Sequence, residues 1–163
     1  AAARTHYEDA AQILHAVGDH RGHTWVTLGL ADMALYEGDH TAAELIRRAL
    51  QETDACGDHR GHSRALTLQA LLLAEANRLS DAITLAEQAL ATFRDHAGAA
   101  QAGFRLARLY GAAGRHQDVL RTLQQSRTHH HAAGIPFPAL ADPELAKSLT
   151  HPVPRARRFR RPQ

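Results

Sequence analysis

A chain of 163 residues, 44% hydrophobic and 22% charged, is long enough to bury a core and ordinary enough for one globular domain. No run approaches the ~20 apolar residues of a membrane span, and the single cysteine, Cys56, excludes an intrachain disulfide framework. The formal charge of +2 misleads, because Arg155, Arg157, Arg158, Arg160 and Arg161 crowd the last nine residues and the body without them holds 14 basic against 17 acidic residues.

Apolar residues at three- and four-residue steps predict helices along most of the chain. Over 4–17 the stripe is Tyr7, Ala10, Ala11, Ile13, Leu14 and Val17, with Gly18 as the stop and Asp19 as the cap of the next helix. The second helix spans about 20–37, carries Trp25, Leu28, Leu30, Ala31, Ala34 and Leu35, and ends at Gly38-Asp39, which repeats the stop-and-cap signal for the helix that follows. The third, about 41–55, places Ala42, Ala43, Leu45, Ile46, Ala49 and Leu50 on its apolar side and closes at Gly57-Asp58. A fourth spans about 60–76 and breaks at Asn77, a residue that also tolerates the left-handed region. Ser80 or Asp81 is the expected cap of the fifth helix, about 80–95. The sixth covers about 98–112 and stops at Gly114, and the seventh, about 116–131, turns polar into His129-His130-His131. Pro136 and Pro138 break the pattern. Residues 135–150 read as an extension with a brief helix after Pro143, and 151–163 as a disordered arginine-rich tail.

The chain also repeats itself. Gly18-Asp19-His20-Arg21-Gly22-His23 returns as Gly57-Asp58-His59-Arg60-Gly61-His62, 39 residues on, and Asp95-His96-Ala97-Gly98 is a weaker third copy 37 residues after Asp58. Periods in this range mark helical repeat arrays. Aligned on their breaks, the copies read Leu30-Ala31, Ala34, Gly38, Ala43, Leu50; then Gln69-Ala70, Leu73, Asn77, Ala82, Ala89; then Leu106-Ala107, Tyr110, Gly114, Val119, Ser126.

These series resemble the tetratricopeptide repeat, although the period exceeds 34, the closing proline is absent, and Gln69, Val119 and Ser126 depart from the pattern. The Gly-Asp-x-Arg-Gly joint and the Leu28-Gly29-Leu30-Ala31-Asp32 run are similar to the long repeats in C-terminal halves of bacterial LuxR-type and antibiotic-regulatory transcriptional regulators. The resemblance covers about 4–131 and implies an all-α, right-handed superhelical array of antiparallel helix pairs. It implies a domain over 1–134, with an unpaired helix at 4–17 and repeats at about 20–56, 59–95 and 98–131. It also implies a bacterial, cytoplasmic setting in a larger regulatory protein, and the missing initiator Met together with a start inside a helical pattern leads us to expect a fragment or processed piece.

Carrying over the groove-facing positions of such repeats gives Trp25, Leu28, Asp32 and Tyr36, then Arg64, Thr67, Leu71 and Glu75, then Gln101, Phe104 and Arg108. Trp25, Leu28 or Gly29, Asp32 and Tyr36 also share one helical stripe independently of the family. Aromatics beside Arg and Asp suit a peptide or amphipathic helix; the alternative is inter-helix packing with solvated charges. The expected function is a non-catalytic protein-binding scaffold, with a ligand- or peptide-sensing domain of a regulator as the runner-up. No nucleophile elbow, phosphate-binding loop or His-Glu-x-x-His motif is present, so no catalytic residue and no cofactor is assigned. A third reading lets His20, His23, His59 and His62 converge on a zinc ion. The open edge of the first helix is a candidate for self-association, and nucleic-acid contact is expected only through the arginine tail.

Overall fold

The computed structural model describes residues 2–137. Among these residues it is all-helical: α1 (Ala2–Ala16), α2 (His20–Glu37), α3 (Ala42–Cys56), α4 (His59–Glu75), α5 (Leu79–Thr92), α6 (His96–Ala112) and α7 (His116–Ala132). The brief helix expected after Pro143 and the arginine tail lie outside the described residues. Each helix packs against the next, and α2 packs on α4 as α4 packs on α6. The three even-numbered helices therefore form one row, with α3 and α5 wedged between successive members.

The recurring hexapeptide builds the joints of this row. Gly57 takes a left-handed conformation (φ 65°) and ends α3, its N–H donating to the Asp54 carbonyl while the Asp58 N–H donates to Thr53. Asn77 does the same for α4 at φ 61°, as its sequence position predicts. Asp19, Asp58 and Asp95 then cap α2, α4 and α6, each carboxylate accepting from the backbone N–H three residues on: Gly22 at 2.8 Å, Gly61 at 3.1 Å and Gly98 at 2.7 Å. The second glycine of the hexapeptide makes room. A Cβ on Gly61 would lie 2.6 Å from the Asp58 carboxylate and 2.9 Å from the Thr53 methyl. The arginine of each joint reaches forward to the aspartate of the next, Arg21 to Asp58 at 3.5 Å and Arg60 to Asp95 at 3.4 Å. One motif thus ends a helix, starts another and ties neighbouring repeats together.

Two expected caps are corrected. α5 begins at Leu79 behind Arg78, and Asp81 lies inside its first turn, paired with the Arg78 guanidinium at 2.7 Å. Asp39 caps no helix; its carboxylate accepts from the Thr41 N–H at 2.9 Å, an Asx turn that delays α3 to Ala42. That delay moves the register by one residue. α3 buries Ala42, Ile46, Ala49 and Thr53, whereas Ala43 is exposed and Leu50 only half-buried. Ala42, Ile46 and Ala49 thus correspond to Ala82, Ala86 and Ala89 of α5, and the alignment through Ala43 and Leu50 is one residue out.

The buried side chains form two clusters. The first centres on Leu28, Ala31, Ile46, Ala49, Ala65 and Leu68, the second on Ile83, Leu106, Leu109, Tyr110, Val119 and Leu123. Leu71 packs against both and joins them. Ser126, irregular against the repeat pattern, is buried, and its hydroxyl donates to the Ala100 carbonyl at 2.7 Å. It keeps the small-residue role and adds a bond between α6 and α7. On α2 and α4 the buried hydroxyls of Thr24, Thr27, Ser63 and Thr67 donate to carbonyls one turn back in their own helices.

Tyr110 donates to the Glu87 carboxylate at 2.5 Å, beneath the Arg115 guanidinium. Burial and that bond push its hydroxyl up to about 12, against about 10 for an unfolded tyrosine. The folded state therefore holds the proton more tightly. Its stabilising contribution is present below about pH 10 and is lost as pH rises towards 12. Titration of tyrosinate absorbance is expected to show a phase near 12 that Tyr110→Phe removes; a wild-type curve without it refutes the assignment.

None of the residues of α1 whose exposure is described is buried. The helix docks through the Tyr7 ring, which lies where a Cβ on Gly29 would be, and through Arg4, bonded to Glu37 at 2.6 Å and Asp39 at 3.2 Å. Ala10, Ala11 and Leu14 are half-buried, but Ile13 and Val17 are 64% and 70% exposed. The single apolar stripe expected here is two faces, and one points outward.

Candidate binding face

The row of α2, α4 and α6 presents a cleft of about 100 Å³. Its walls start from one repeat position used three times. Trp25, Arg64 and Gln101 stand 39 and 37 residues apart, and all three line the cleft. Arg60, one turn before Arg64, and Arg105, one turn after Gln101, complete its charged rim.

Trp25 is fixed at both ends. Its indole N–H donates to Asp58 at 3.0 Å, and its ring lies 5.3 Å from the Arg60 guanidinium carbon and 5.4 Å from that of Arg64. This cation–π arrangement orders two flexible side chains. Arg105 donates to Asp32 at 2.6 Å, and Arg64 approaches the same carboxylate oxygen at 3.7 Å, so α2 is tied electrostatically to both α4 and α6. Burial lowers the Arg64 guanidinium below its ordinary value; the Asp32 carboxylate opposes that shift and Arg105 adds to it. The Arg64 Nε is buried without a hydrogen-bond partner.

No family model, curated protein or solved structure matches this chain. What the helices establish is an all-α arrangement compatible with a repeat fold, and the finer resemblance rests on the recurring residues alone.

The expected groove residues divide into three groups. Trp25, Arg64, Thr67 and Gln101 line the cleft, and Asp32 is bonded to its rim. Leu28 is fully buried in the first core cluster, Leu71 bridges the two clusters, and Phe104 packs against the second, so these three serve the core. Tyr36, at 94% exposure, Glu75 and Arg108 stand in solvent outside the cleft; burial of its inner side raises the Glu75 carboxyl above the usual range. Arg60 and Arg105 are the charged residues that the cleft adds. Arg60 was visible only as the arginine of the joint. Arg105 required knowing that the Gly98–Gln101–Arg105 stripe of α6, rather than Phe104 and Arg108, lines the cleft.

The zinc reading is corrected. Among the described residues no group of three or more His, Cys, Asp and Glu side chains is placed to hold a metal ion. His23 faces Glu52 at 3.4 Å, His62 faces Asp54 at 2.8 Å, and His20 and His59 are exposed. His23 and His62 turn to carboxylates of α3, and His23 also meets the His15 ring on α1, so the four imidazoles do not meet. His129, His130 and His131 diverge as their spacing predicts: His129 meets His96, His130 is buried against Phe137, and His131 is exposed. Among the described residues no helix is long and apolar enough to cross a membrane.

Proposed function

We propose that this chain is a non-catalytic interaction module that takes a peptide or helix along the α2–α4–α6 face, within a larger bacterial regulatory or signalling protein of the cytoplasm. In this reading the helix pairs follow the right-handed superhelical path of tetratricopeptide-like arrays, whose first helices line the concave side. The observation that carries it is the meeting of Trp25, Arg64 and Gln101, from three successive repeats, in one cleft. Aromatic and arginine side chains on a partly open surface are the usual anchors of protein recognition. The size of the cleft favours a peptide over an engulfed small molecule. About 100 Å³ is well below the ~300–1,000 Å³ of sites that enclose drug-sized ligands. It suits a single group projecting from a longer chain. The outward-facing Ile13 and Val17 favour α1 as a second contact surface, for another copy of the chain.

The test is a peptide-display selection against the purified chain, followed by titration of the selected peptides. Gln101 and Arg60 are both exposed, so Gln101→Glu with Arg60→Glu leaves the core intact. That double variant is expected to change affinity at least about tenfold. Arg47→Glu, on the exposed side of α3, leaves it unchanged. Selected peptides that bind wild type and double variant alike, or a selection that yields none, sink the proposal.

A further inference from the structure

The cleft holds more hydrogen-bond donors than the protein supplies acceptors for. Arg60, Arg64 and Arg105 line it, and each guanidinium carries five N–H groups. Within the cleft, one hydrogen bond engages them, from Arg105 to Asp32. Arg64 comes no nearer to Asp32 than 3.7 Å, and Arg60 no nearer to Asp95 than 3.4 Å. The Arg64 Nε is buried and unpaired, a condition that is costly for a charged donor. Trp25 does not relieve it, because its indole N–H is itself a donor, given to Asp58, and only its ring faces the arginines.

Donors of this kind fit an oxoanion, and its kind can be narrowed. The cleft's rim already has a carboxylate beside it, Asp32, which engages one of the three guanidinium groups by a hydrogen bond. A second carboxylate can fork to one of the other two guanidinium groups, whereas three acceptor oxygens match both at once. A phosphoryl group brings about −1.5 to −2 charges and three strong acceptor oxygens, and the planar guanidinium fork matches it bidentately. We propose that Arg60, Arg64 and Arg105 form a phosphoryl-binding pocket, with Arg64 as its central anchor and Asp32 as an internal counter-anion with which the phosphoryl group competes. The pocket deepens the reading of this face as a peptide site and rests on that reading for a peptide as the bearer; free phosphate is the other source of the same chemistry.

Trp25 is the only tryptophan in the chain, so its emission reports on the cleft directly. The full chain is titrated with inorganic phosphate and, at matched ionic strength, with acetate. The expected result is a saturable change in Trp25 emission with phosphate and none with acetate. Arg64→Gln weakens the midpoint at least about tenfold, the factor for losing a hydrogen bond between charged groups. Asp32→Asn tightens it. Circular dichroism establishes that the variants are folded, and Arg60→Gln, at an exposed residue, serves as the weakening variant if Arg64→Gln is not. A linear response, an equal response to acetate, or a midpoint unmoved in the folded arginine variant overturns the pocket. A phosphoserine form of a display-selected peptide is then compared with its unphosphorylated twin. Preference for the phosphorylated form supports pocket and face together. Phosphate binding with neither peptide retained supports the pocket and overturns the peptide reading.

Discussion

Replacing Asp58 with alanine is expected to destabilise the fold by about 2–4 kcal/mol, whereas the same change at Asp19 costs about 1 kcal/mol or less. The two residues occupy the same place in the same hexapeptide and make the same cap, so sequence alone ranks them equal. Their surroundings differ. Asp19 is exposed, and its side chain accepts from the Gly22 N–H. Asp58 is 4% exposed, and besides the Gly61 N–H it accepts from the Trp25 indole and pairs with Arg21. Its removal costs the cap and also strands the half-buried indole donor, two penalties that arise at different groups. Asp58→Asn retains an acceptor oxygen and the cap, and lies between the two. Urea unfolding of the three variants followed by circular dichroism decides the matter. Equal losses at Asp19 and Asp58 mean that the Trp25–Asp58 bond contributes nothing to stability. The same bond sets the Trp25 ring, so Asp58→Ala also alters the emission of the folded state, whereas Asp19→Ala does not.

The helices were legible because their signals are local. Glycine or asparagine at every stop but that of α5, which ends at Phe93, and aspartate at three starts act within one turn of the chain, and the observed ends of most helices fall within two residues of those read from sequence. The α3 register was missed for a reason of the same scale. Gly38-Asp39 looks like Gly57-Asp58, but without a glycine three residues after Asp39 the carboxylate takes the nearer Thr41 N–H, and the helix starts late. At the candidate binding face the limit is different in kind. Which repeat positions face the row could be carried over, and Trp25, Arg64 and Gln101 follow from it. Whether a given position is covered by the next helix depends on how closely the helices approach. Leu28 was placed in the groove by its position, but the packing of α2 on α4 closes over it. Arg105 emerges from its place beside α2 and α4, where it lines the cleft and reaches Asp32, a relation between helices that no single-helix pattern carries.

Leu68→Ala is expected to cost about 3–5 kcal/mol, towards the upper part of the range for large-to-small changes in cores. Leu68 is fully buried at the centre of the first cluster, where its neighbours include Ala31, Ala34, Ala49 and Ala65. Alanines have no rotamers with which to fill a space. A cavity left by truncation can shrink only if helix backbones move, and α4 is held on several sides by α2, α3, α5 and α6. The cavity therefore persists, and lost dispersion contacts add to the lost transfer energy. Leu120→Ala on α7, where the side chain is 58% exposed, is expected to change stability by less than about 0.5 kcal/mol. The contrast separates burial from side-chain chemistry. The single indole adds a second readout: Trp25 lies in the first half of the row, whereas circular dichroism reports all seven described helices. Because Leu71 joins the clusters, the two probes are expected to give coincident transitions in wild type and in Leu68→Ala. A Trp25 transition that moves to lower urea while the helical signal keeps its midpoint shows instead that the clusters unfold separately and that the coupling through Leu71 is weak.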